Sequence, residues 1–91
     1  MYGLAMAVRS RLKLLIAERN IALMREGKQT LTQRSIAEST GLSLSVISGL
    51  AANRTERVDF TTLNKLCAFF GVQPADILVY THDEPNSDDR P

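Results

Sequence analysis

The sequence predicts an all-α protein, a compact domain of five helices, and three observations carry that prediction. Apolar residues recur at helical spacing in several separate segments. Glycines stand where those segments must stop, at positions 27, 41 and 71. Between Gln33 and Ala52, QRSIAESTGLSLSVISGLAA, small and apolar residues fall where two short helices meeting at a tight turn require them. Ninety-one residues suffice for one core and are too few for two. The expected organisation is a domain over residues 1–80 and a disordered tail over 81–91, which is polar, acidic and holds two prolines.

The first helix is expected from about Ala7 into the low twenties, with Val8, Leu12, Leu15, Ile16 and Leu23 at helical spacing. Two signals compete for its end. Asn20 can cap it, or it can continue through Ile21–Arg25 to stop at Gly27, and continuation is the preferred reading. Gly27–Thr30 is a polar loop. Thr32 can then cap the second helix, with Gln33 in its first turn and Leu31 as a hydrophobic staple against Ile36.

In the second helix Ile36 and Ala37 lie away from Gln33, Arg34 and Glu38, and Ala37 lacks the bulk that would block a second helix. Gly41 is placed where the chain must leave in a left-handed conformation, after which Leu42 turns back into the core. Ser43 is a natural N-cap for the third helix, whose inward face is Ile47 and Leu50 and whose outward face is Leu44, Ser45, Ser48 and Gly49. Asn53–Arg57 is a polar loop. Asp59 caps the fourth helix, in which Phe60, Leu63, Leu66, Cys67 and Phe70 are expected to share one face up to Gly71. Pro74 suits the first turn of a fifth helix running to about Val79, with Ile77 and Leu78 closing the core.

Read together, Gln33–Ala52 is a helix-turn-helix, a unit that most often binds DNA. Through Gln33, Ala37, Gly41, Ile47 and Leu50 it resembles the Cro-like and phage-repressor-like regulators often called the Xre family. The resemblance extends to Val58–Cys67 and Phe70–Leu78 and, with the N-terminal helix, covers most of the chain. It implies a five-helix domain that binds operator DNA, commonly as a dimer. The chain departs from that family's pattern where it matters for base reading. Leu44 stands where many members carry Arg, Gln or Lys, Gly49 where another long polar residue is common, and Ala51 where a glutamate is frequent.

The candidate DNA-binding residues are Gln33, Arg34, Ser43, Leu44, Ser45, Ser48, Gly49, Asn53, Arg54 and Arg57. Gln33 and the backbone amides at the second helix's N-terminus can hydrogen-bond a phosphate, aided by the positive end of the helix dipole, and so seat the third helix in the major groove. Ser43, Ser45 and Ser48 can reach phosphate or a base edge, Leu44 can pack on a thymine methyl group, and Arg54 and Arg57 can meet the backbone. No Arg, Gln or Asn on the third helix itself offers a bidentate pair, worth roughly 1–3 kcal/mol of discrimination each, so affinity should rest on phosphates before base code. Gly49 costs roughly 1 kcal/mol against alanine in a helix interior, which signals close approach by a neighbour, either DNA backbone or a neighbouring helix.

Charge supports this reading through its distribution. Residues 1–57 hold nine basic residues against four acidic ones, net +5, whereas 58–91 hold two against six, net −4. Arg9, Arg11 and Lys13 are read as a solvated face. No apolar run is long enough to cross a bilayer, and MYGLAMAVRSR lacks the apolar core of a secretory signal, so the expected compartment is the cytoplasm. With one cysteine, Cys67, and one histidine, His82, the chain offers neither an internal disulfide nor a zinc centre, and no cofactor is expected. An enzyme is not expected, since the clustered serines have no histidine beside them and four of ten acids fall between Asp83 and Asp89. Expected partners are double-stranded DNA and a second copy of the chain. The alternative is a protein-interaction module, an antitoxin or adaptor presenting the Leu44, Ser45, Ser48, Gly49 surface to a protein partner. Two apolar segments are candidates for dimerisation, Ile77–Tyr80 and the N-terminal Tyr2, Leu4 and Met6.

Overall fold

A computed structural model describes residues 6–82. They form, in chain order, β1 (Met6–Ser10), α1 (Leu12–Arg25), α2 (Gln33–Thr40), α3 (Leu44–Ala51), α4 (Phe60–Phe70), α5 (Pro74–Ile77) and β2 (Leu78–His82). The five expected helices are present, and a small antiparallel sheet is added to them, pairing Val8 with Tyr80 and Ser10 with Leu78.

That sheet corrects both ends of the expected helical plan. Residues 7–10 were expected to begin the first helix, yet they form β1, and Val8 is 63% exposed where helical spacing put it on an inner face. The fifth helix, expected to reach Val79, stops at Ile77, and Leu78 is already extended at φ −119°, ψ 128°. The cause is mutual. Val79, Tyr80 and Thr81 are β-branched or aromatic, and a partner strand makes their extended form worth more than another helical turn, while the same pairing draws Ala7–Ser10 out of the helix. Thr81 and His82, assigned to the tail by sequence, pair with Ala7 and Met6. Residues 83–91, with Tyr2 and Leu4, lie outside the described residues. The ladder runs into the helix: the Arg11 amide bonds Ile77 O at 2.6 Å, and the Leu12 amide bonds the Ser10 hydroxyl at 3.0 Å.

The first helix does continue past Asn20, to Arg25, and the chain turns at Gly27 with φ +72°. Asn20 has another task. Its carboxamide accepts from the Leu31 amide at 2.6 Å and donates to Leu31 O at 3.0 Å, tying the α1–α2 loop to the middle of α1. Leu31 is thereby held against the core cluster just ahead of α2.

Leu12, Ile36, Ile47, Leu66 and Ile77, one residue from each helix, are fully buried and form the centre of the core. Ala37, Leu50, Ala51 and Phe70 complete it, with Leu15, Ile16, Leu63 and Cys67 packed partly buried around it. Phe60, like Val8, departs from the inward place expected of it. It is 82% exposed, because it occupies the first helical position of α4, and the stripe that meets the core begins only at the buried Thr62. At the other end of α4, Arg19 donates from Nη2 to Phe70 O at 2.8 Å and lies 5.5 Å from the Phe70 ring centroid. One of the nine basic residues of the first half is therefore a bracket between α1 and α4.

Candidate nucleic-acid interface

The site is built on the junction of α2 and α3, and each end of that junction is fixed by a short polar side chain. Thr32 Oγ1 accepts from the Ser35 amide at 3.0 Å while Ser35 Oγ accepts from the Thr32 amide at 2.9 Å, a capping box with serine in the third position. α2 ends at Gly41, whose φ of +78° needs a residue without Cβ, and its amide bonds Ala37 O at 2.9 Å. Ser43 then caps α3, its hydroxyl accepting from the Val46 amide at 3.1 Å. Ala37 and Ala51 are both buried, so neither carries bulk into the interior at the helix crossing.

With Ile47, Leu50 and Ala51 committed to the core, helical geometry turns Leu44, Ser45 and Ser48 outward as one face. Gln33 and Arg34 are exposed at the start of α2, where their amides stand ahead of the helix's first i→i−4 bond, from the Ile36 amide to Thr32 O. Arg54 joins the α3 face, its Nη2 lying 3.4 Å from Ser48 Oγ and its amide donating to Gly49 O at 2.9 Å.

The remaining sequence candidates have other engagements. A Cβ at Gly49 would stand 2.9 Å from Thr55 Oγ1, so the neighbour that this glycine admits is the α3–α4 loop. Asn53 adopts φ +59° and turns its carboxamide to β1, accepting from the Ser10 amide at 2.7 Å and donating to Ser10 O at 3.3 Å. Its side chain acts as a short strand partner that locks the end of α3 to the sheet. Arg57 lines a groove between that loop, α3 and β1, together with Val8, Val46, Leu50 and Val58. Sequence reasoning missed Thr55, Val46 and this groove. Gly49 was the available signal for Thr55, whereas nothing local announced Val8, because its position depends on a strand pairing across the whole chain.

Charge elsewhere is mostly local. Lys28 and Glu26 pair at 3.0 Å in the exposed turn after α1. The Thr62 amide, and after it the Thr62 side chain, hold the Asp59 carboxyl below its ordinary value, so the cap of α4 is ionised at neutral pH. Among the described residues no three His, Cys, Asp or Glu side chains are grouped to hold a metal ion, and no helix is long and apolar enough to cross a membrane.

A family model for the Cro/C1-type helix-turn-helix DNA-binding domain matches residues 11–83. No match was found among curated proteins or among solved structures. The matched span begins one residue before α1 and takes in all five helices and β2, while β1 precedes it.

Proposed function

The chain belongs to the Cro/C1-type helix-turn-helix DNA-binding domains, and on that premise we propose that it is a transcriptional regulator that seats α3 in the major groove of duplex DNA, as a homodimer on a two-fold-related site. The observation that supports the reading is that the same α2–α3 unit exposes two features. α2 offers the amides of Gln33 and Arg34 at its positive end, and α3 offers Leu44, Ser45 and Ser48 with Arg54 beside them. The first set suits a phosphate, and the second a groove wall. Leu44, 38% exposed at the first position of α3, is accessible for packing on a thymine methyl group.

Because this face carries small hydroxyls and one leucine, base discrimination is modest and phosphate contacts with duplex shape dominate. The test is fluorescence anisotropy with duplexes recovered by selection from random sequence. Binding tighter than about micromolar at low salt, falling steeply as salt rises, is the expected result. Arg54→Ala should weaken binding to all duplexes alike and reduce the slope of log K against log salt by about one. Absence of any duplex bound more tightly than about micromolar at low salt would overturn the assignment.

A second reading rests on the same weakly polar face: α3 can present Leu44, Ser45 and Ser48 to a protein, as an antitoxin or adaptor does. Capture from lysate followed by nuclease separates the two, since material retained after nuclease favours the protein partner.

A further inference from the structure

α1 is apolar on two sides, and the fold packs only one of them. Its inner side is committed to the core through Leu12, Leu15 and Ile16. Its outer side carries Leu14, Ala17, Ile21 and Met24, a stripe alternating at three and four residues and about 15 Å long. Leu14, Ile21 and Met24 are 45%, 53% and 66% exposed, and Ala17 is exposed between them. A helix that packs on one core needs one such stripe, so the second is surplus to the fold. At its N-terminal end lies a hollow of about 470 Å³, walled by Leu14 and Ala17 of α1 and Ala51 at the end of α3, with Arg11 and Lys13 also lining it. None of the four stripe residues belongs to the surface proposed above to meet DNA.

We infer that this stripe is the docking site for a helix of another protein, one whose apolar seam is edged by aspartate and glutamate. The spacing selects a helix. Apolar residues alternating at three and four form the seam onto which a second helix packs its own side chains, and the hollow beside Leu14 takes a bulky side chain from that helix. The charges select the sign of the partner's edges. Arg11, Lys13 and Arg25 flank the seam against Glu18 alone, net +2 (3 − 1), and among the described residues none of the four is in an ion pair. A second copy of the chain brings the same positive excess to the contact, whereas carboxylates at the edges of a partner helix meet it with the opposite sign. Duplex DNA matches the charge but leaves the apolar stripe in water. The platform is stiff, because Arg19 ties α1 to the end of α4 and Asn20 ties it to the α1–α2 loop.

The test needs no DNA. A displayed library of helices about three heptads long, with leucine at a and d and the e and g positions randomised, is selected on the full chain. Selected sequences should be enriched in Asp and Glu at e and g. A synthetic peptide of the enriched sequence, followed by fluorescence anisotropy, should bind Ile21→Ser on the order of tenfold or more weaker than wild type. Ile21 is outside the core and serine is close to isoleucine in helix propensity, so the variant should unfold at the wild-type temperature. Arg11→Gln with Lys13→Gln should weaken the same peptide and flatten its salt dependence. Amide shifts on adding the peptide should centre on Leu14–Met24. Failure to enrich any sequence, edges without an excess of acids, equal binding by Ile21→Ser, or shifts centred on α3 would each overturn the assignment. So would a dimeric wild-type chain that Ile21→Ser turns monomeric in sedimentation equilibrium, since a second copy would then be the occupant. All of these outcomes are independent of whether α3 reads DNA.

Discussion

Replacing Asn53 separates two contributions that the structure combines in one residue. Asn53 holds φ +59°, and its carboxamide makes two hydrogen bonds to Ser10, at 2.7 and 3.3 Å. Asn53→Ala loses both bonds, each worth about 0.5–1.5 kcal/mol with the longer one at the low end, and forces a Cβ-bearing residue with no local hydrogen bond into the left-handed region at about 1 kcal/mol or more. The expected loss is about 2–3 kcal/mol. Asn53→Gly loses the same bonds without the steric cost, so it should lose about 1 kcal/mol less than alanine. Urea unfolding of the three proteins gives both numbers if their slopes agree. Hydrogen exchange provides a local check: the Ser10 amide, deprived of its acceptor, should exchange much faster in both variants than in the wild type. Equal stabilities for the alanine and glycine variants would refute the backbone argument, and a Ser10 amide unchanged in exchange would refute the clamp.

Other substitutions test neighbouring steps. Gly49→Ala gains about 1 kcal/mol of helix propensity but must displace Thr55 Oγ1 from 2.9 Å, so thermal unfolding should show the gain only when Thr55→Ala is also present. Ser43→Ala removes the cap of α3 and should cost about 1 kcal/mol in urea unfolding, with Ser43→Gly losing only a few tenths. The folded-state pKa of Asp59 lies below its unfolded value, so its contribution is present above about pH 4 and is lost as pH falls through the folded value. Acid titration of stability should therefore show wild type converging towards Asp59→Asn only at the lowest pH, and parallel curves throughout would remove the cap from the account. Arg19→Met keeps a long stem but lacks the bond to Phe70 O, and should raise exchange at the α4 C-terminus while leaving the salt dependence of DNA binding unchanged.

The scaffold was legible because its signals are local. Thr32, Gly41, Ser43, Asp59 and Gly71 each satisfy a helix end within a few residues, and the structure uses all five as caps or stops. Asn20 shows where local reading fails, since the same carboxamide that suits a helix end serves here as a bracket eleven residues away. The sheet was illegible for a stronger reason: β1 and β2 are separated by the whole domain, and Val8 fits a helical stripe with Leu12 as well as it fits a strand. One consequence reaches the candidate site. Asn53 reads as a polar residue at the end of α3, but the backbone it clamps belongs to a strand that no local pattern revealed. The apolar segments around Met6 and around Tyr80 looked like separate dimerisation candidates, yet Met6 and Tyr80 belong to the same paired sheet.

The central claim, that α3 and the N-terminus of α2 together meet duplex DNA, is tested most directly by amide chemical-shift mapping of the full chain against a selected duplex at low salt. The account predicts that the largest shifts fall on Gln33, Arg34, Ser43–Ser45, Ser48 and Arg54, with small ones at Gly27 and Lys28 at the far end of α1. Shifts confined to the groove around Val58 and Asp59, or a spectrum unmoved by any selected duplex, would contradict it.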